Sequence, residues 1–102
     1  MRNRTMHDLK CWDCYFEAVD SGLKTFEIRL NDRDYKLHDS LLLREWDPAR
    51  KVYTGRALLM RVTYIFGSPT HLPIGYLAMA IQPAGGNLEY ARELGLAEAA
   101  RK

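Results

Sequence analysis

At 102 residues the chain is long enough for one domain with a single core, and a net charge of +2 with an isoelectric point near 8.6 is too small for a general nucleic-acid coat. Any basic surface must be local. No apolar run is long enough to span a bilayer, Met1 to Thr5 lead into His7-Asp8 rather than into a signal-type apolar stretch, and two cysteines are too few for a disulfide scaffold, so a cytoplasmic location without membrane contact is expected.

Leu9 to Trp12 reads as a first strand, and Asp13 as the N-cap of a helix running to about Asp20 with Tyr15, Phe16 and Val19 as its buried stripe. Ser21-Gly22 stops that helix, because glycine takes the left-handed C-terminal conformation at no steric cost. A strand through Leu30 follows, and Asn31 to Lys36 is too polar for anything but a loop. His38 occupies a turn and tolerates a positive φ better than most non-glycine residues. Ser40 to Trp46 is the next strand, Asp47 to Lys51 a turn, and Arg56 to Phe66 a long strand with Leu58, Met60, Val62, Tyr64 and Phe66 on one apolar face. Gly67 to Gly75 connects to a last strand, Tyr76 to Gln82. Pro83 to Gly86 ends the globular part, and Asn87 caps a short helix with Leu88, Ala91 and Leu94, broken at Gly95. One early helix among several short strands predicts a small, mostly antiparallel α+β barrel over residues 1–84 and a helical tail over 85–102.

Chemistry concentrates in Ser21-Gly22-Leu23-Lys24-Thr25-Phe26-Glu27-Ile28-Arg29. The two-residue side-chain period sends Phe26, Ile28 and Leu30 into the core and Thr25, Glu27 and Arg29 to the opposite face, with Lys24 at the entrance. An ammonium, a hydroxyl, a carboxylate and a guanidinium on one short segment suit recognition of a polar ligand or acid-base work, and they also suit a solvated face laced by charge pairs. Cys11-x-x-Cys14, with His7 upstream, lacks a second ligand pair, and His38 and His71 are isolated, so neither a metal nor another cofactor is expected. Arg29, Arg33, Lys36, Arg44, Arg50, Lys51, Arg56 and Arg61 interleave with Tyr35, Trp46 and Tyr53, a mixture that can track phosphates and stack bases, although Asp32, Asp34, Glu45 and Asp47 offset much of the charge.

Residues 7–82 resemble the ASCH domain of the PUA-like superfamily, closest to a subgroup of small bacterial and phage ASCH-like proteins. The resemblance rests on Ser21-Gly22-x-Lys24-Thr25-x-Glu27-x-Arg29, the Asn31-Asp32-Arg33-Asp34-Tyr35-Lys36 loop, Leu42-Leu43-Arg44-Glu45-Trp46-Asp47, Tyr53-Thr54-Gly55 and Gly75-Tyr76-Leu77. It implies a PUA-like barrel whose cleft meets the polar segment after the first helix, in a superfamily that commonly binds RNA or modified nucleobases. One ASCH branch hydrolyses acetylcytidine. Against it the chain keeps Lys24 and Arg29, places Glu27 where that branch has its threonine nucleophile, and has no glutamate in Gly67 to Gly75.

The expected function is therefore an RNA-, nucleotide- or nucleoside-binding module. Lys24, Thr25, Glu27, Arg29, Arg33, Arg44 and Trp46 are its candidate ligand residues, with Lys24 and Arg29 on phosphate or carbonyl oxygen and Glu27 accepting from an exocyclic amine. Two alternatives stand beside it. One is a hydrolase of a modified nucleoside or single-stranded RNA using Lys24, Thr25 or Glu27, and the other is a protein-interaction module.

Overall fold

Among the described residues, period-two patterning and an eight-residue amphipathic helix build a five-stranded sheet with one helix against it. The computed structural model describes residues 5–84, so the tail helix expected over 85–102 lies outside the described residues. The elements are β1 (Met6–Trp12), α1 (Asp13–Asp20), β2 (Phe26–Leu30), β3 (Ser40–Asp47), β4 (Val52–Phe66) and β5 (Tyr76–Pro83). All five strands fall where the sequence pattern puts them, with β1 and β4 beginning earlier.

The strand order is β1-β3-β4-β5-β2, with β1 parallel to β3 and the other pairs antiparallel. The sheet curls into a half-barrel, so the fold is a small barrel-like α+β arrangement in which β1 and β2 remain as the two edges. No described helix is long and apolar enough to cross a membrane.

Trp12, not Asp13, is the N-cap of α1; Asp13 is the first helical residue and its Oδ1 accepts from the Cys14 N–H at 2.8 Å. The helix ends as the sequence predicts. Gly22 has φ +82°, Leu23 N–H donates to Ala18 O and Gly22 N–H to Val19 O, the pair of bonds that satisfies the last helical carbonyls in a Schellman motif. His38 likewise takes a positive φ, +73°.

The main core fills the concave side. Leu9 and Cys11 of β1, Phe16 and Val19 of α1, Leu41 and Leu43 of β3, Leu58, Met60 and Val62 of β4, and Met79 and Ile81 of β5 meet there with Tyr35. Tyr15 is half exposed rather than part of the buried helix stripe. A smaller cluster of Leu42, Ala57, Leu59 and Ala84 lies on the other face. The single apolar face expected along β4 breaks at a bulge between Val62 and Tyr64, which inserts a residue and inverts the alternation. Beyond it Ile65 packs on the core, while Tyr64 and Phe66 are exposed.

Two buried carboxylates tie loops and helix to this sheet. Asp39, wholly buried, accepts from Thr5 N–H at 3.1 Å and Lys36 N–H at 3.0 Å, and its Oδ2 lies 2.8 Å from His7 Nε2. Glu45 accepts from Thr54 Oγ1 at 2.5 Å and from Arg56 Nε and Nη2, each at 2.9 Å; Arg56 also bonds Glu17 of α1 and lies over Phe16. The Arg56 hydrogen bonds hold the Glu45 carboxyl below its ordinary value, outweighing the opposing effect of burial.

Asp39→Ala leaves buried His7, and the part-buried N–H groups of Thr5 and Lys36, without this acceptor, at about 1–3 kcal/mol for the buried group, so a thermal melt at pH 7 is expected to fall by at least about 5 °C; an unchanged melt refutes this role. Because the folded Glu45 pKa is depressed, its stabilisation is complete above the ordinary carboxyl value of 4.5 and is lost as pH falls through the folded value. Glu45→Gln should be about 1–2 kcal/mol less stable at pH 7, and stability measured from pH 7 to 3 should fall less steeply than in the parent. Burial, with a smaller contribution from Glu27, pushes the Cys11 thiol up to about 11. Alkylation at pH 8 followed by peptide mapping is thus expected to label exposed Cys14 and spare Cys11; equal labelling would contradict the buried placement.

Candidate functional site

β2 presents the face opposite to the one its pattern predicts. Its antiparallel register sets Glu27 against Met79 and Arg29 against Leu77, both on the inner side, so Glu27 is 4% exposed. Phe26, Ile28 and Leu30, expected in the core, are 46%, 52% and 49% exposed on the outside. Alternation reports which residues share a face but not which face turns inward, and β2 is an edge strand where that choice is open.

A carboxylate brought to the inner face must be paired, and its own neighbours pair it. Lys24 Nζ donates to Glu27 Oε1 at 2.9 Å and Arg29 Nε to Oε2 at 3.0 Å. The same cations seal open strand edges. Lys24 Nζ also donates to Phe26 O at 2.6 Å, Arg29 Nη2 crosses to Lys10 O at 2.8 Å, and Arg33 Nη1 reaches Asp8 O at 2.9 Å. Alternate residues of a strand turn their backbone groups to the same edge, so the Asp8 and Lys10 carbonyls both lie on the side of β1 that β3 leaves open. Guanidinium groups from β2 and its following loop therefore stand where the ladder of a closed barrel would run.

Between these edges lies an open cleft of about 640 Å³. β1 contributes Lys10, Cys11 and Trp12, α1 contributes Tyr15, and β5 contributes Tyr76; Lys24 and the whole of β2 make the remaining wall. Trp12 and Tyr15 are half exposed, and the Lys24 ammonium lies 4.9 Å from the Phe26 ring centre and 5.9 Å from that of Tyr15. Cations on the floor and four aromatic rings around the walls can hold an anion and stack a planar group together. Behind the cleft, the hydroxyl of buried Tyr35 has no described hydrogen-bond partner, and its ring lies 4.6 Å from that of His7.

Of the residues the sequence singled out, the fold brings Lys24, Glu27 and Arg29 together in the cleft. Thr25 is exposed and lies outside its walls, and Arg33 is spent on the β1 edge. Arg44 and Trp46 sit elsewhere, in a stack on the outer side of β3. Arg44 lies 4.1 Å over Tyr53 and its Nε is 2.8 Å from Asp8 Oδ1, a close charge pair not aligned as a hydrogen bond; the Trp46 face is covered by the Lys10 ammonium at 3.8 Å. Both oxygens of Glu27 are engaged by cations, which leaves it the part of holding them. Sequence reasoning missed Lys10, Trp12 and Tyr76 as cleft residues and assigned Tyr15 and Phe26 to packing. The strand-to-helix junction at Trp12 was the available signal, but its partner across the cleft is set by which strand reaches the far edge. Among the described residues no three His, Cys, Asp or Glu side chains converge as a metal site would require.

Comparison with known proteins adds a family without adding an activity. An uncharacterized 12.9 kDa protein from the GpA 3′ region of Escherichia phage P2 is 40% identical over 58 residues, 57% of this chain and 51% of that protein. The chain thus spans about half the length of this relative. Residues 6–81 match the family described as a domain of unknown function, DUF3850, a span that takes in every wall of the cleft, and the chain belongs to that family.

Proposed function

We propose that the cleft binds a nucleotide or a short single-stranded RNA segment. The observation that carries this reading is the pairing of exposed aromatic rings, Trp12, Tyr15, Phe26 and Tyr76, with Lys24 and Arg29 around one open volume. Bases stack on such rings whatever their identity, and cations at the same rim take the phosphates. The resemblance to ASCH and PUA-like domains supports the same class of ligand. Glu27 serves as a positioning residue: its two ion pairs direct Lys24 and Arg29, each of which keeps N–H donors beyond those bonded to Glu27, Phe26 O and Lys10 O.

Recognition fits these positions better than hydrolysis. Lys24 directs donors at Glu27 and the Phe26 carbonyl, Thr25 lies outside the walls, and the Cys11 thiol, pushed up to about 11, supplies little thiolate near neutral pH.

The test is fluorescence anisotropy with labelled single-stranded RNA octamers and with mononucleotides. Contacts from two cations predict a slope of log affinity against log salt of about −1.4, a loss of roughly sevenfold between 50 and 200 mM. Trp12→Ala should weaken binding about 5- to 150-fold through lost stacking. Glu27→Gln makes the sharper distinction, because it removes a negative charge yet should weaken binding by releasing Lys24 and Arg29, whereas a purely long-range attraction would strengthen it. No binding of either probe at 50 mM salt overturns the proposal.

A further inference from the structure

Three aromatic residues stand in one register row across the sheet. Trp12 at the end of β1 pairs with Trp46 of β3, and Trp46 pairs with Tyr53 of β4. Strands lie 4.7–4.9 Å apart, so the row runs about 10 Å from the cleft wall over the outer face. Beside it Lys10 pairs with Arg44. Each cation lies over a ring of the row, Lys10 Nζ 3.8 Å from the Trp46 centre and the Arg44 guanidinium 4.1 Å from that of Tyr53, and the two rings meet edge-on at 4.9 Å. Trp46 thus holds the exposed Lys10 ammonium in place without consuming its N–H donors. Among the described residues neither a carboxylate nor another hydrogen-bond acceptor meets that ammonium. Two carboxylates of these strands are occupied: Asp8 lies on Arg44, and Asp47 accepts from the Ala49 and Arg50 N–H groups of the following turn. That turn, one residue pair beyond Trp46 and Tyr53, adds exposed Arg50 and Lys51.

We infer that the ligand of the cleft is a single RNA strand of several nucleotides, which leaves the cleft over Trp12 and continues across Trp46 and Tyr53 toward Arg50 and Lys51. The inference rests on the cleft reading and extends it beyond one nucleotide. Trp12 belongs both to the cleft wall and to the aromatic row, so the two surfaces join without a break. Trp46, Tyr53, Arg50 and Lys51 lie outside the cleft walls. Aromatic side chains set across a sheet stack two or three successive bases, and cations beside them take the phosphates. Lys10, fixed over Trp46, is the first such cation, and the two turn residues are the next. Arg44 acts differently: with its side chain 16% exposed and Asp8 against it, it positions the Tyr53 ring. An acidic peptide would meet the same cations but has no planar groups to lay on the row.

The test compares a labelled mononucleotide with a labelled RNA octamer by fluorescence anisotropy on the full chain. The two cleft cations alone give the octamer a salt slope of about −1.4, and Lys10, Arg50 and Lys51 take it to about −3.5. Arg50→Gln with Lys51→Gln, at two exposed turn positions, should return the slope to about −2.1 and leave mononucleotide affinity and the thermal melt unchanged. Trp46→Ala should weaken octamer binding about 5- to 150-fold and leave mononucleotide binding as it was. An octamer slope of about −1.4, or octamer binding that the turn variant does not alter, overturns the inference. So does an equal loss of both probes in Trp46→Ala, which would place its effect in the cleft or the fold. In each of these cases mononucleotide binding by the parent chain leaves the cleft reading standing, whereas absence of binding by both probes removes the two together.

Discussion

The carboxylate of Glu27 is buried on the inner face of an edge strand, and such a charge persists only if it is paired where it sits. Lys24 and Arg29 meet that demand from either side along the chain, and doing so fixes where both cations stand. Their remaining donors then reach backbone carbonyls of β2 and β1. One buried charge thus determines the conformation of β2, the closure between the sheet edges and the positive floor of the cleft.

That closure explains why an incomplete barrel can leave its ends near each other. Unpaired strand edges invite pairing with other chains, and charged side chains laid across them are a common remedy. Here Arg29 and Arg33 occupy the open carbonyls of β1 at Lys10 and Asp8. Side-chain bonds hold the gap without filling it as a continuous ladder would, so room remains for a ligand between the edges. The aromatic rings at this gap come from β1, α1, β2 and β5, which no stretch of sequence places together.

The inverted face of β2 and the bulge in β4 have a shared consequence. Glu27 takes the inward position, sending Phe26, Ile28 and Leu30 outward, and the bulge after Val62 turns Tyr64 and Phe66 to the same side. Between them β5 offers Ala78 and Ala80, with Tyr76 opposite Leu30. The cleft and the outer apolar face are therefore two products of one choice about which side of β2 is buried.

Local signals were legible from the residues alone. The glycine stop after α1, the positions of the strands and the grouping of Lys24, Glu27 and Arg29 follow from turn chemistry, periodicity and spacing, which act over a few residues. Which face of β2 turns inward, where β4 breaks its alternation and which aromatic rings border the cleft depended on register against β5 and on β1 and β2 ending as opposite edges of a curled sheet. Alternation is symmetric between the two faces of a strand. Only the tertiary structure broke that symmetry, because a carboxylate clamped by its own neighbouring cations can occupy the inner face of an open half-barrel and leave an apolar row outside.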